Sequence, residues 1–199
     1  MKLLEERIRE EGRVLSEDIL KVDSFLNHMV DPELMGKIGK EFAGYFKDRG
    51  ITKVLTLEAS GITSALFTAK ELGVPMIFAK KAGSSNIGKD VYHATVHSFT
   101  YDRDFEICVF KDYLTEHDTV LIIDDFLAEG SACFGMADLC RQASAKIAGI
   151  GVCIEKGFEN GGKKLRDQGY DVLSLAIVDA MSQEEITFRT QPEQDQNPR

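Results

Sequence analysis

Apolar residues recur along the chain with two different spacings, and these spacings predict helices and strands. Helical spacing, with an apolar residue every three or four positions, runs through residues 2–11 and 32–48. Short apolar runs bounded by polar or turn residues are typical of strands. Further along the chain the two kinds of segment alternate: we predict strands at residues 53–57, 76–79, 119–123, 147–154 and 171–177, and helices at residues 63–72, 131–143 and 162–168.

The arrangement of these segments predicts an α/β fold with a mostly parallel central sheet. Strands that are apolar throughout and separated by helices are typical of a sheet covered by helices on both faces. Residues 91–98 and 105–110 are two further predicted strands, and they flank the polar link TYDRD as a hairpin. The end of the chain, residues 190–199, contains no apolar anchor, so we expect a flexible tail after one domain of residues 1–189.

Composition and charge exclude several classes of partner. The 199 residues are 43% hydrophobic, enough for one full-sized core. The formal net charge is −9 and no run of Lys or Arg exceeds two residues, which argues against binding to nucleic acid or to an anionic membrane. No apolar run approaches the ~20 residues that span a bilayer. The charged start MKLLEERIREEGR does not have the pattern of a signal peptide, so a cytoplasmic protein is expected.

Neither the cysteines nor the histidines form a motif. The four cysteines lie in apolar surroundings at no metal-ligand spacing, and they are interpreted as reduced thiols of the core: Cys108, Cys133, Cys140 and Cys153. The four histidines are interpreted as solvated or structural residues: His28, His93, His97 and His117.

The stretch VLIIDDFLAEGSA, residues 120–132, carries the clearest chemical signal. Its apolar run predicts a buried strand, and Asp124 and Asp125 follow at the carboxyl end of that strand, where parallel sheets bind ligands. The turn from Leu127 to Ala132 leads into a helix, and the amides of such a turn form an anion site suited to a phosphate. On the residues alone a second interpretation stays open, in which one aspartate caps the helix and its neighbour is solvated.

This stretch resembles the phosphoribosyl pyrophosphate (PRPP) signature of the type I phosphoribosyltransferases. The resemblance extends from MKLLEERI to the KGF at Lys156, and it is greatest to bacterial members that act on xanthine. It implies that Asp124 and Asp125 hold the ribose hydroxyls and that the turn binds the phosphate of PRPP through five residues: Ala128, Glu129, Gly130, Ser131 and Ala132. Glu129 departs from the pattern, since relatives often have a neutral residue there, and we expect its carboxylate to point away from the phosphate.

The resemblance also implies a site for pyrophosphate and a lid over it. LEASGI, residues 57–62, is similar to the family's pyrophosphate loop, with Ala59, Ser60 and Gly61 as contacts, and FAKKAGSS brings Lys80 and Lys81. On residues alone, Ser60 could be a plain helix cap and the two lysines a solvated strand end. Residues 81–104 correspond to the family's mobile loop, in which Lys89 and Tyr92 are candidate contacts.

The base-binding residues come from two distant segments. Lys156 resembles the lysine that donates to the 6-oxo group of purines, and residues 1–35 resemble the hood that covers the base, with Leu20 and Asn27 as contacts. Without the resemblance, Lys156 would be a surface lysine, Leu20 a core residue and Asn27 a turn residue.

The implied reaction converts xanthine and PRPP to xanthosine 5'-monophosphate (XMP) and pyrophosphate, with Mg²⁺ carried by PRPP and the protein a homodimer. Three alternatives stay open. The first is transfer to guanine or hypoxanthine, which also carry a 6-oxo group. The second is a PRPP-sensing regulator without catalysis, and the third an RNA-binding attenuator; the acidic composition argues against both.

Overall fold

The centre of the structure, a computed structural model that describes residues 1–81, 90–98 and 103–190, is an eight-stranded sheet. A separate two-stranded hairpin lies near the amino terminus. The strands are β1 (Arg13–Ser16), β2 (Ile19–Lys21), β3 (Lys53–Leu57), β4 (Met76–Lys81), β5 (Val91–Ser98), β6 (Arg103–Phe110), β7 (Thr119–Leu127), β8 (Lys146–Lys156), β9 (Val172–Met181) and β10 (Ile186–Phe188).

Helices connect the strands and cover the sheet. The described residues form α1 (Lys2–Glu11), α2 (Pro32–Phe46), α3 (Gly61–Leu72), α4 (Ser131–Gln142) and α5 (Gly161–Asp167), with short 3-10 turns at Lys47–Arg49 and Lys111–Tyr113. Helix α2 begins where Asp31 caps it by accepting from the backbone amides of Glu33 and Leu34. The predicted α/β fold and the predicted order of helices and strands are confirmed.

The strand order reverses between β3 and β7. The sheet runs β10-β9-β8-β7-β3-β4-β6-β5, and its five central strands are parallel. The hairpin of β5 and β6 joins β4 in antiparallel pairing, and β10 joins β9 in the same way. After β3 the chain continues outward to β4, and after β7 it continues outward to β8 on the other side, so the connections diverge. In open parallel sheets, ligands bind at such a point.

Two apolar cores lie on the two faces of the sheet. Alternation along β7 places Leu121 and Ile123 against α2, α3 and the amino-terminal segment, and Val120 and Ile122 against α4 and the β5–β6 hairpin. All four of these strand residues are fully buried. Helices α3 and α4, which follow β3 and β7, therefore pack on opposite faces of the sheet.

The amino-terminal segment forms a layer over one face of the sheet. Leu4 and Ile8 of α1 and Phe25 after β2 are fully buried in the first core, and the terminal amine donates to the backbone carbonyl of Leu175. Strands β1 and β2 were not predicted from the sequence, because they are only four and three residues long and mostly exposed.

Several strands extend further along the chain than the sequence predicted. Strand β7 does not end at Ile123 but continues through both aspartates to Leu127, since its pairing with β8 persists to Leu127 opposite Glu155. Strand β8 reaches Lys156 and β9 reaches Met181, and β10 was missed. Half of the predicted lid, including Lys89, and residues 191–199 of the predicted tail lie outside the described residues, whereas Tyr92 lies in β5.

Candidate active site

The candidate site lies at the crevice where β3 and β7 separate. These strands pair only at their beginnings, from Lys53 opposite Val120 to Leu55 opposite Ile122. Beyond that point β8 is the only described strand that pairs with β7. The unpaired side of β7 therefore borders the crevice, and the two aspartates belong to this part of the strand.

Asp124 and Asp125 are directed to different sides of strand β7. Asp124 is 6% exposed and lines a cavity of about 410 Å³, while half-buried Asp125 accepts a hydrogen bond from the Asn27 side chain at 3.2 Å. Successive side chains of a strand alternate between faces, which accounts for the division. The two residues stay linked, because the Asp125 amide donates to the Asp124 carboxylate at 3.0 Å.

Both carboxyl groups hold their protons more tightly than usual. Burial raises the pKa of Asp124 well above its ordinary value, and the neighbouring charge of Asp125 adds to the effect. Burial also raises the pKa of Asp125, against the opposing effect of the hydrogen bond from Asn27. A site of this kind favours ligands that bring hydroxyl donors or positive charge to the carboxylates.

The helix-cap interpretation of the aspartates is wrong. Gly130 is the cap residue of α4, with a left-handed backbone (φ 87°) that favours glycine, and no side chain caps this helix. Ala128, Glu129, Gly130, Ser131 and Ala132, the predicted phosphate turn, all line the cavity together with Asp124. The amino end of a helix, with free amides and a favourable dipole, thus forms one wall of the cavity.

Glu129 is held by an ion pair outside the turn. Its carboxylate contacts the Lys164 ammonium of α5 at 2.5 Å, and this contact lowers the pKa of Glu129. The backbone of the same turn is also tied to α5, because the Gly161 amide donates to the Ala128 carbonyl at 3.0 Å.

The predicted pyrophosphate loop follows β3 and approaches Asp124. A Cβ at Gly61 would lie 3.1 Å from the Asp124 carboxylate and would overlap the Thr56 hydroxyl, so the close approach requires glycine. Ala59 is exposed, and Ser60 occupies the cap position of α3 without a side-chain capping bond. The Glu58–Ala59 peptide bond is cis.

The structure separates the two predicted lysines. Lys81 lines the cavity, with its ammonium 5.1 Å from the centre of the Phe105 ring. Lys80, the preceding residue of β4, is directed to the other face of the strand. The Lys81 backbone amide donates to the Glu58 carboxylate at 2.7 Å, which ties the end of β4 to the loop after β3.

The predicted base-binding residues lie against the amino-terminal segment. Lys156 ends β8 and donates to the backbone carbonyl of Asp18 at 2.7 Å, with the Glu159 carboxylate 3.6 Å away. Leu20 is 8% exposed in β2 and belongs to the first core. The structure therefore brings Lys156 to the hood segment and Asn27 to Asp125, whereas Leu20 is largely covered.

Sequence reasoning missed residues of the cavity wall and features near the predicted site residues. His97 and Arg103 of the β5–β6 hairpin line the cavity, although His97 was interpreted as solvated or structural. The Phe158 ring is 41% exposed two residues after Lys156. Buried Thr56 has a hydroxyl without a hydrogen-bond partner among the described residues. Exposure of an aromatic residue and burial of a hydroxyl both depend on the fold, so no sequence signal marked them.

The cysteines lie in the core, as their apolar surroundings predict. All four cysteines are free and buried, and burial raises the pKa of Cys140 to about 12. Among the described residues no group of three or more His, Cys, Asp or Glu could hold a metal ion. None of the helices in the described ranges has the length and apolar character needed to cross a membrane.

Comparison with known proteins gives the following similarities. The chain is 52% identical over 189 residues to a xanthine phosphoribosyltransferase of Oceanobacillus iheyensis (95% of this chain, 97% of that protein), and 51% identical over 188 residues to one of Ruminiclostridium cellulolyticum (94% and 99%). Among solved structures it is similar to the adenine phosphoribosyltransferase of Giardia lamblia in complex with 9-deazaadenine (TM-score 0.72, 26% identity, 87% of this chain and 96% of that chain). The Rhodothermus marinus adenine phosphoribosyltransferase shares the fold (TM-score 0.72, 20% identity, 89% and 100%). No family model matches the chain.

Proposed function

The chain belongs to the xanthine phosphoribosyltransferase family, and we propose on this basis that it transfers the phosphoribosyl group of PRPP to xanthine. The products are XMP and pyrophosphate. The observation that carries the proposal is the geometry at the end of β7, where the buried Asp124 carboxylate and the amino end of α4 lie beside one cavity, with Asp125 on the other side of the strand, at the reversal of strand order.

The phosphoribosyl group of PRPP would bind along the end of β7. The amides at the start of α4 and the Ser131 hydroxyl can donate to the 5'-phosphate, and the helix dipole favours its negative charge. Asp124 and Asp125 can accept hydrogen bonds from the two ribose hydroxyls. Such donors stabilise carboxylates whose ionised form is disfavoured by burial, so PRPP binding would complete this site electrostatically.

The pyrophosphate would lie between the loop after β3 and the end of β4. Ala59, Ser60 and Gly61 contribute backbone amides, and Lys81 contributes a cation on the cavity wall. We also propose Lys80 as a second cationic contact. Its side chain is directed to the other face of β4, so the end of that strand would have to rotate for the ammonium to reach the pyrophosphate. Lysine is a point charge suited to phosphate groups.

The crevice fits a Mg²⁺ ion that arrives with PRPP. The described residues offer no three-ligand cluster for a resident metal, but the Asp124 carboxylate and the partnerless Thr56 hydroxyl both lie close to Gly61 at the crevice. These two oxygen-bearing side chains suit a hard cation that keeps most of its coordination from diphosphate oxygens and water. When bound, Mg²⁺ stabilises negative charge on the leaving pyrophosphate.

Purine selectivity would depend on Lys156 and the hood. The ammonium group is a donor only, so it favours the 6-oxo group of xanthine and disfavours the 6-amino group of adenine. Asn27 carries both a donor and an acceptor, which suits recognition at the 2-position. Leu20 contributes apolar cover, and the exposed Phe158 ring offers a surface for stacking.

Catalysis would proceed by displacement at the anomeric carbon without a covalent enzyme intermediate. Positive charge develops on the sugar as the bond to pyrophosphate breaks, and the carboxylates of Asp124 and Asp125 stabilise it. The protein positions the two substrates and excludes water, which would otherwise hydrolyse PRPP.

Transfer to guanine or hypoxanthine is the second candidate, because Lys156 favours any 6-oxo purine. A steady-state assay with PRPP, Mg²⁺ and each of xanthine, guanine, hypoxanthine and adenine distinguishes the candidates by the nucleotide formed. We expect the highest kcat/KM for xanthine and no turnover of adenine. Preference for guanine would move the assignment to the second candidate, and turnover of none would contradict the enzymatic proposal.

Lys156→Met tests the recognition residue in the same assay, and Lys146→Met is its matched control. Both lysines are in β8, but Lys146 is exposed at the opposite end of the strand. We expect Lys156→Met to raise KM for xanthine at least tenfold with little change for PRPP, and Lys146→Met to leave both unchanged. Equal changes in KM for xanthine in the two variants would contradict a role of Lys156 in base recognition.

The remaining expectations are part of the same proposal. One domain of residues 1–189 carries a hood from residues 1–35, and the protein is a cytoplasmic homodimer. The four free, buried thiols support a reducing compartment. Sedimentation velocity measures the oligomeric state directly, and a monomer at micromolar concentration would contradict the dimer.

A further inference from the structure

Helix α5 supports the phosphate turn through contacts that no sequence motif indicated. The Gly161 amide donates to the Ala128 carbonyl at 3.0 Å, and the Lys164 ammonium pairs with the Glu129 carboxylate at 2.5 Å. A Cβ at Gly161 would lie 2.6 Å from the Gly130 amide nitrogen and would collide with the Ala128 carbonyl. The two backbones are therefore in direct contact, and any shift of α5 displaces the turn.

Helix α5 is itself anchored to the strand beneath it. Arg166 forms two hydrogen bonds with the Glu155 carboxylate, at 2.9 and 2.8 Å, and Glu155 is 3% exposed. The Ser174 hydroxyl also donates to this carboxylate. Glu155 is paired with Leu127, the last residue of β7, across the β7–β8 ladder. The anchor thus connects α5 to the same strand end from which the phosphate turn begins.

Glu129 is an unfavourable residue for a turn that takes a phosphate. A free carboxylate there would repel a phosphate dianion bound at the amides of the same turn. In this structure the side chain is paired with Lys164, which itself is not among the residues lining the cavity. The ion pair both neutralises the carboxylate and holds it toward α5.

We propose that Lys164 is a positioning residue for phosphate binding, required because Glu129 stands in the turn. The inference rests on the proposed function, in which this turn binds the 5'-phosphate of PRPP. Lys164 touches no substrate; it acts by removing the repulsion of Glu129 and by fixing the turn against α5. Its importance should therefore vanish when residue 129 is neutral.

A double-mutant cycle tests this dependence. We expect Lys164→Met to raise KM for PRPP, and the Kd of the full-length protein for ribose 5-phosphate, by roughly three- to tenfold, with kcat little changed. Glu129→Gln is the reference for the second arm of the cycle, and adding Lys164→Met to it should raise neither KM nor Kd further. High salt, about 1 M, should reduce the effect of Lys164→Met, since Lys164 is half exposed and the interaction is then screened.

Lys163→Met is the matched control, because Lys163 is the neighbouring lysine of α5 and pairs with Asp167 of the same helix at 2.5 Å. It should leave KM and Kd unchanged, and Lys164→Arg should retain wild-type binding. An effect of Lys164→Met that is as large in the Glu129→Gln background as in the wild-type background, or no loss in Lys164→Met, would overturn the inference while leaving the proposed function intact. Failure of the wild-type protein to bind ribose 5-phosphate would instead contradict the proposed function.

Discussion

Asp124 and Asp125 bring two carboxyl groups into a strand interior that ordinary folding would fill with apolar residues. Each carboxylate lowers the stability of the folded protein, because burial disfavours its ionised form. At Asp124 the neighbouring charge of Asp125 adds to this cost. Thr56 adds a buried hydroxyl without a partner among the described residues. Unfavourable groups collected at one crevice are typical of a functional site.

Asp125→Asn should stabilise the folded protein while it removes most activity. The amide retains the size of the side chain and an oxygen that can accept from Asn27, but it removes the buried charge. At pH 7 we expect a gain of about 1–2 kcal/mol in the free energy of unfolding and a fall in kcat of about 100-fold. Chemical denaturation and steady-state kinetics measure the two effects.

The gain in stability of Asp125→Asn over the wild-type protein should increase with pH. Because the pKa of Asp125 is higher in the folded protein than its ordinary 3.8, the folded state binds more protons, and wild-type stability declines as the pH rises through this interval. The difference between variant and wild type should therefore shrink as the pH falls and disappear below about pH 4. The control is Glu116→Gln, an exposed carboxylate, which should change stability at neither pH. A less stable Asp125→Asn protein at pH 7 would contradict the assignment of a raised pKa.

Strands β3 and β7 are joined at one end and open at the other, and the closed end is held by Asp118. Its carboxylate accepts from the Lys53 ammonium at 2.9 Å, the Thr52 hydroxyl at 3.1 Å and the Thr115 amide at 2.8 Å. These bonds connect the beginnings of the two strands. The two strands are therefore held together at their beginnings, and the crevice lies between their carboxyl ends.

Asp118→Asn should destabilise the protein, with a pH dependence opposite to that of Asp125→Asn. Burial is the largest single effect and opposes ionisation of Asp118, but the hydrogen bonds from Lys53 and Thr115 and the charge of Lys53 together outweigh it, and the pKa lies below 3.8. The folded state then binds fewer protons than the unfolded chain, so this stabilisation is present above pH 4 and is lost as the pH falls through the lowered pKa. We expect a loss of about 1–3 kcal/mol at pH 7 that fades in acid. Denaturant titration at both pH values, with exposed Asp112→Asn as the control, checks the sign.

The charge of the chain as a whole separates an enzyme from a nucleic-acid-binding regulator. The formal net charge is −9, and the proposed cationic contacts are a few lysines at strand ends, with Lys81 on the cavity wall and Lys156 at the end of β8. Duplex DNA binds through many phosphate contacts at once, which requires a basic face. We expect no retardation of duplex DNA by micromolar protein at about 50 mM salt in a gel-shift assay. Tight, sequence-specific retardation would revive the regulator alternative.

Much of the local structure was predictable, because helix and strand patterns depend on neighbours a few residues apart. Helix α1 and strands β3 and β5 match their predicted bounds, and the order of elements with their apolar character was sufficient for the α/β class. The motif VLIIDDFLAEGSA likewise indicated an acidic strand end followed by an anion-binding turn. Its strand was predicted too short because two adjacent carboxylates were interpreted as a strand end, whereas pairing with β8 continues past them.

The partners of these residues are a property of the folded chain. Asn27 and Asp125 are 98 positions apart, Lys156 and Asp18 are 138 apart, and Glu129 and Lys164 are 35 apart. No local pattern encodes such pairs, because they follow from which strands become neighbours and from the face on which each helix packs. The same is true of Lys80 and Lys81, adjacent in sequence and divided by the alternation of β4. The chemistry of the site was thus readable from residue types, and its assembly depended on the long-range packing that buries both apolar cores.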